Sequence, residues 1–155
     1  MLKANFITAQ EAAEKIQDGS ILCTIGMTLV SASESILKAI EKRFETVGHP
    51  ADITLVHSCG QSDRKDGIQH LAHEGLVKRI VGSHWGLQPR WMEMIANSQV
   101  EAYCLPQGQI AQLYRSMACG LPGKMSKVGL GTFIDPRVEG GKMNDRTKPL
   151  PDIVD

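Results

Sequence analysis

The chain has 155 residues, 42% of them hydrophobic and 22% charged, enough for one globular domain that buries roughly two thirds of its unfolded surface. Lys plus Arg and Asp plus Glu both number 17, so no net field points to nucleic acid or an anionic membrane. No apolar run approaches the roughly 20 residues of a membrane helix, and the first ten residues lack the basic start and apolar middle of a signal peptide, so a cytoplasmic location is expected.

In chain order, Thr8-Ala9-Gln10-Glu11 is a capping-box pattern. It predicts a short helix carrying Ala12, Ala13 and Ile16 and ending at Asp18-Gly19. "SILCTIG", Ser20 to Gly26, reads as a buried strand. "ASESILKAIEKRF" then sets Ile36, Leu37, Ile40 and Phe44 on one side of a second helix, with Glu34, Glu41 and Glu45 on a solvated face, until Gly48-His49-Pro50 breaks it. "DITLVHS", Asp52 to Ser58, is the second strand, and "CGQSDRKDG" a polar loop. Leu71 to Leu76 reads as part of a short helix, "VKRIVGS" as a third strand, and "PRWMEMIAN" as a helix with Pro89 in its first turn. "VEAYCLP" is the fourth strand, followed by a helix from Gln107 to Cys119 closed by Gly120. Beyond Pro122 glycine becomes more frequent, and after Asp135 regular patterning fades.

Strands alternating with helices imply crossover connections. The fold class is therefore α/β, a mostly parallel sheet with helices on both faces. Ligands of such sheets meet the loops at the carboxyl ends of the strands. Here those loops are Gly26 to Ser31, Ser58 to Gly67, Ser83 to Pro89 and Pro106 to Gln109. Cys23, Cys59, Cys104 and Cys119 are widely spaced and include no C-x-x-C pair. Cys23 and Cys104 fall in apolar strands and are expected to be buried thiols without disulfides.

Several short patterns carry chemistry. Pro106-Gln107-Gly108 opens a helix, where unpaired N–H groups and partial positive charge suit a carboxylate, a phosphate or a developing oxyanion. Gln107 adds a neutral donor amide and Gly108 permits close approach to the backbone, although a plain turn with Gln107 in water has the same pattern. "GMTLVS", Gly26 to Ser31, has one glycine where a phosphate cradle would need several. "GSHWG", Gly82 to Gly86, resembles a nucleophile elbow with His84 where Ser belongs, so His84 and Trp85 line the same rim or simply pack. His70 and His73 share a possible helix face, but no recognisable spacing supplies a third ligand, and no metal site is assigned. Cys59 could act as a nucleophile beside His57, two residues earlier and on the same side of a strand, but nothing supplies an orienting third group.

Taken together, "AHEGLVKRIVGSHWGLQPR", "AYCLPQG" and "GLGTFIDPRVEGGKMN" resemble the alpha half of the class I coenzyme A transferases, closest to the acetoacetate, propionate and short-chain acyl type. The resemblance runs from Thr8 to about Lys148, and G-T-F-x-D-P followed by G-G-K-x-N is its most specific part. It implies transfer of coenzyme A between an acyl-CoA and a small free carboxylate through a glutamyl-CoA thioester, with no metal or redox cofactor. The nucleophilic glutamate of that family belongs to the beta half, and none of the nine glutamates here stands in its context. The alpha half contributes the Pro-Gln-Gly glutamine, carried over to Gln107, and a Gly-rich loop. Gly26, Ser31, His84, Pro106 and Gly108 are the further substrate-binding candidates. The loop departs from the family pattern, since Gly26 alone remains of its two or three glycines, with Ser31 and Ser33 as substitute donors. The chain also stops at Asp155, earlier than a family alpha half. It is therefore read as one alpha-type domain, incomplete at its C-terminus, that needs a beta-half partner and self-associates through an exposed apolar face. Two alternatives stay open: a non-catalytic binding or assembly module on the same fold, and an acyl hydrolase resting on Cys59 or on Gly82 to Gly86.

Overall fold

The computed structural model describes residues 4–154. Its strands β1 (Ile21–Thr24), β2 (Ile53–His57), β3 (Val77–Gly82) and β4 (Glu101–Cys104) form a single all-parallel sheet in sequential order. Around it lie α1 (Ala9–Glu14), α2 (Glu34–Val47), α3 (Pro89–Ala96), α4 (Gln107–Ala118) and a 3-10 helix over Gly67–Leu71.

Strand register sorts the side chains into two layers. Leu22, Leu55, Ile80 and Ala102 stand opposite one another across the sheet and face α2, the 3-10 helix and α3, where Leu37, Ile40, Ile68, Leu71, Trp91 and Met94 close the main core. The neighbouring row, Cys23, Val56, Val81 and Tyr103, faces the other way. There Val56, Val81 and Tyr103 pack under Ile110 and Tyr114 of α4 and under Ile134 and Val154. Helices thus cover both faces, as the alternation predicts, but α4 covers the second face only in part.

That partial cover corrects the reading of the first strand. β1 is an edge strand, with Ile21 61% exposed and Cys23 exposed rather than buried. An apolar run records that a strand belongs to a sheet but not whether a helix lies over each of its faces. Two helices also differ from expectation. The Thr8–Glu11 capping box forms, with Thr8 N–H donating to Glu11 Oε2 at 2.7 Å, but α1 stops at Glu14 with Lys15 as its cap. The short helix placed over Leu71 to Leu76 lies instead at Gly67–Leu71, because Gly75, at φ +88°, turns the chain and Leu76 already leads into β3.

The supposed solvated face of α2 is also partly covered. Glu34 and Glu41, two turns apart, hold His70 of the 3-10 helix between them: His70 Nε2 lies 2.8 Å from Glu34 Oε1, and Nδ1 bonds to Glu41. His73 Nε2 lies 2.9 Å from Glu41 Oε1, Glu34 Oε2 accepts the Gly67 N–H, and Arg90 approaches Glu41 from α3. Burial pulls the His70 pKa down, but the bonds to Glu41 and Glu34 outweigh it and leave the pKa above its ordinary 6.5. Burial pushes Glu41 up, but His73 and His70 together hold it below 4.5.

The stretch after α4 contains no long element yet completes the fold. Cys104 N–H donates to Gly141 O at 2.8 Å and Met143 N–H to Ala102 O at 3.0 Å, so residues 141–143 run antiparallel along β4 and cover its free edge. Asn144 Nδ2 donates to Ile95 O and Val100 O, tying that strap to the end of α3. Asp135 closes the preceding loop by accepting from Gly131 N–H and from the Arg137 backbone and guanidinium. The most family-specific motif of the sequence is therefore structural.

Two outcomes follow. Gly141 sits at φ +73°, and a Cβ there would lie 2.6 Å from Cys104 O. Gly141→Ala should lower the unfolding free energy by about 2–4 kcal/mol in urea titration, and an unchanged midpoint would remove the strap from the structure's essentials. His70→Gln should cost about 1–2 kcal/mol, most fully between pH 4.5 and 6.5. The difference from wild type should shrink at higher pH as the raised His70 pKa is passed, and at lower pH as Glu41 takes its proton. A pH-independent difference would show that the pair carries no charge-dependent stability.

Candidate functional site

Because all four strands are parallel, the four loops singled out from the sequence lie along one rim. Gly26 and Ser31 follow β1, Ser58 to Gly67 follow β2, His84 follows β3, and Pro106, Gln107 and Gly108 follow β4. All the residues assigned to the site are thus brought to a single edge of the sheet.

A polar layer beneath the rim joins these loops. Gln61, almost fully buried, donates from Nε2 to Thr24 O at 2.9 Å, linking the second loop to the end of β1. Thr28 N–H donates to Gly60 O at 2.9 Å, and Ser83 Oγ donates to Ser58 O. With its amide oriented to satisfy both ends, buried Gln88 donates to Trp85 O and His84 O at 3.1 Å each and accepts from Gln61 N–H at 2.9 Å. Tyr114, on α4, donates its hydroxyl to Thr24 O at 3.0 Å and lies 3.3 Å from Val56 O. Burial pushes that phenol up to about 12, so it remains a donor at neutral pH. The helix that begins with Gln107 is therefore pinned to the strand that ends in the Gly26 loop. Sequence reasoning missed this layer, because Gln61, Gln88 and Tyr114 read as ordinary loop and helix residues.

Gln107 is the first residue of α4, with Pro106 as its extended cap at φ −60°, ψ 129°. Its side chain is exposed and takes no hydrogen bond among the described residues. At the start of the helix, the N–H groups of Gln107 and Gly108 have no carbonyl in the preceding turn to receive them. Gly108 is also exposed, and a Cβ there would meet nothing within 4 Å. Neither packing nor backbone conformation inside this chain requires glycine at that position.

The loop after β1 answers the question raised by its missing glycines. Gly26 takes φ +142°, and a Cβ would meet Val30 O at 2.8 Å. Met27 and Val30 pair across a tight turn, and both Thr28 (φ 53°) and Ser31 (φ 63°) occupy the left-handed region. The chain keeps a backbone shape suited to several glycines while using one, at a cost of about 1–2 kcal/mol for each non-glycine residue in that region. Ser33 precedes α2 without a side-chain capping bond.

His84 stands exposed with its ring fitted between Gly60 and Gly86, where a Cβ would come within 2.7 Å of ring carbons on either side. Trp85 turns inward and packs in the core. Six residues separate β3 from α3, so "GSHWG" is not a strand-to-helix elbow. Its first glycine makes room for His57, since a Cβ on Gly82 would fall 2.2 Å from His57 Nε2.

The Cys59 pairing is not formed. His57 is fully buried and its Nδ1 lies 2.7 Å from the Cys59 carbonyl oxygen, not the thiol. Burial lowers its pKa to about 4, partly offset by that bond and reinforced by His84. The imidazole is thus neutral, with its Nδ1–H engaged. His70 and His73 gather acidic neighbours that the spacing could not reveal, in the trios Glu34–Asp66–His70 and Glu41–Glu45–His73. Lys38 Nζ already lies 3.1 Å from Glu34 and 3.3 Å from Asp66, so both carboxylates of the first trio share an ammonium.

Relief of the loop strain is measurable. Thr28→Gly should raise the unfolding free energy by about 1 kcal/mol, seen as a higher melting temperature. A fall would mean that the threonine hydroxyl, which donates to Met27 O at 2.6 Å, outweighs the backbone cost.

Comparison with known proteins bears on the whole arrangement. A family profile described as coenzyme A transferase matches residues 6–153. The chain is 40% identical over 154 residues to a caffeate CoA-transferase of Acetobacterium woodii, covering 98% of this chain and 29% of that protein. It superposes with a TM-score of 0.87 and 36% identity on the acyl-CoA transferase YdiF of Escherichia coli O157:H7, crystallised as the apoenzyme, over 95% of this chain and 28% of that one. The chain therefore spans little more than a quarter of these two relatives. It is also 38% identical over 144 residues to the acetate CoA-transferase YdiF of Escherichia coli K12, covering 92% of this chain and 27% of that protein. With a profile match across nearly all of its residues and the fold of YdiF reproduced in its parallel sheet, the chain belongs to the coenzyme A transferase family.

Proposed function

We propose that this chain forms the alpha-type wall of an active site that moves coenzyme A between a short-chain acyl-CoA and a small free carboxylate. In this reading the glutamate nucleophile comes from a beta half, and the chain is one alpha-type domain of a longer assembly. The carboxylate of that glutamate adds to the thioester carbonyl, the carbonyl oxygen becomes an oxyanion, and the carbon–sulfur bond breaks to release the CoA thiolate. The thiolate then attacks the resulting anhydride, freeing the first acid and leaving a glutamyl-CoA thioester. The second carboxylate reverses the sequence and leaves as its CoA ester. No redox change or metal is required.

One observation carries the assignment of Gln107. Its amide is exposed at the first position of α4, on the rim it shares with the Gly26 loop, beside a glycine whose missing side chain nothing in this chain explains. A neutral donor there can steady the oxyanion without pairing with the attacking carboxylate. Pro106 sets the entry of the helix, Gly108 leaves its first N–H groups open, and Gly26, Ser31 and His84 form the opposite side of the acyl site. The exposed apolar residues around β1, among them Ile21, Ile25, Met27 and Val30, supply a surface for the beta half or for a second copy.

The test is reconstitution. The chain alone should show no transfer from acetyl-CoA to a short carboxylate, and mixing with a beta half of the family should produce it. Gln107→Ala should then lower turnover by about 10²–10³. Transfer by the isolated chain would overturn the half-site reading, and an unchanged rate in the variant would return Gln107 to the role of a turn residue.

A further inference from the structure

His70, on the 3-10 helix, is shared by two carboxylates of α2, and an imidazole donates to both only while it carries its second proton. Nε2 lies 2.8 Å from Glu34 Oε1, and Nδ1 faces Glu41 Oε2. The charged groups around the ring come from three elements. From α2 come Glu34, Lys38 and Glu41, with Glu45 one turn further on beside His73. From the 3-10 helix and its flanks come Asp66, whose Oδ1 lies 3.4 Å from Nε2, and His73, which bonds to the other oxygen of Glu41. From α3 comes Arg90, with Nη1 3.6 Å from Glu41. Each ring nitrogen therefore faces a carboxylate. Burial works against a charge on His70, but the bonds to Glu41 and Glu34 keep its pKa above 6.5.

The two carboxylates are not equivalent. Glu41 is also held by His73 and Arg90. Glu34 is the more exposed of the pair, and Lys38 and solvent can take the place of the imidazole there. Once one ring N–H is gone, one carboxylate must face a nitrogen lone pair, and Glu34 is the one free to turn away. That movement reaches the rim. Glu34 is the first residue of α2, directly after the loop that runs from Gly26 to Ser33. Its second oxygen accepts the Gly67 N–H at 2.9 Å, where the Ser58 to Gly67 loop passes into the 3-10 helix. Gly67 sits at φ +77°, where a Cβ would fall 2.0 Å from Gln61 O, and Ile68 N–H donates to that same oxygen at 2.9 Å. Gln61 in turn donates to Thr24 O, just before the Gly26 loop begins. Glu34 and Gln61 therefore tie both ends of one rim loop to the other, and Thr28 N–H joins the two loops again through Gly60 O.

We propose that His70 is a proton-operated positioning residue of the rim, which when charged holds Glu34 and Glu41 together and fixes the spacing of the two loops, and when neutral releases Glu34 and with it the Gly67 bond. The brace is closed below the midpoint of His70, as long as the carboxylates stay ionised, and opens as pH rises through that midpoint. It depends on the geometry of the two loops and not on the reaction assigned to the rim.

The experiment is a nitrogen-15 NMR titration of the full chain from about pH 5 to about pH 9, following the imidazole nitrogens and the backbone amides. The His70 ring should titrate with a midpoint above 6.5, and the Gly67 and Thr28 amides should shift with that same midpoint. Hydrogen-exchange protection of Gly67, corrected for the intrinsic effect of pH on exchange, should fall about tenfold across it, as expected for the loss of one hydrogen bond to a charged group. Glu34→Gln keeps an oxygen for the Gly67 N–H but removes the charge, so it should flatten the pH response of Gly67 and lower the His70 midpoint. His73→Gln should leave the Gly67 response in place, which separates the two rings that share Glu41. A wild-type amide spectrum away from this cluster shows that each variant is folded. The proposal is overturned if Gly67 protection stays level while His70 titrates, if Thr28 does not follow, or if Glu34→Gln retains the full response. Loss of the response in His73→Gln would also overturn it, by moving the switch to His73.

Discussion

Parallel pairing of four strands in sequential order is the constraint on which the rest of the molecule depends. Each strand must be reached by a crossover, and crossovers of one hand that advance in one direction deposit their helices on the same face. That is why α2, the 3-10 helix and α3 share one core with Leu55, Ile80 and Ala102, while the second face is left to α4 and the segment after it. The same arrangement sends every strand's carboxyl end to one rim. Gly26, His84 and Gln107, spread over more than eighty residues of the chain, therefore lie along one edge although the strands that carry the first and the last are not neighbours in the sheet.

A rim assembled from four separate loops needs something to hold the loops in register, and here buried amides and hydroxyls do so. Gln61, Gln88, Ser83 and Tyr114 each reach a backbone group of a different loop or strand end. Such bonds are directional, and a buried group that loses its partner costs more than the bond contributes, so the layer favours one arrangement over near alternatives. His57 belongs to it as a neutral, fully buried ring resting over Gly82, which explains why a histidine close to a cysteine does not make a reactive pair. The strain at Thr28 and Ser31 is a further mark of the rim, since left-handed residues other than glycine persist only where surrounding contacts hold them.

The two ends of the sheet are finished differently. At β4 the strap at residues 141–143 satisfies the free backbone edge and Asn144 secures it to α3, which is the physical content of the G-G-K-x-N pattern. At β1 no such cover exists among the described residues, and Ile21, Cys23 and Ile25 remain exposed beside an unpaired edge. An unprotected apolar edge is a surface on which more protein can pack.

The family was legible in the sequence because its motifs answer to local backbone demands: Pro106 before a helix, Gly141 at positive φ, Asp135 closing a turn. Strand identity, the parallel sheet and the shared rim were legible for a similar reason, since alternating elements leave few connections open. Three features depended on the tertiary structure alone. The exposure of β1 depended on how far α4 extends across the sheet. The pairing of Glu34 and Glu41 with His70 depended on the 3-10 helix docking against α2, and the polar layer depended on which loops became neighbours. Periodicity and turn chemistry act over a few residues and are written into the order of the chain. Burial, ion pairing and hydrogen-bond partners across the sheet arise between segments distant in sequence, so only the folded arrangement determines them.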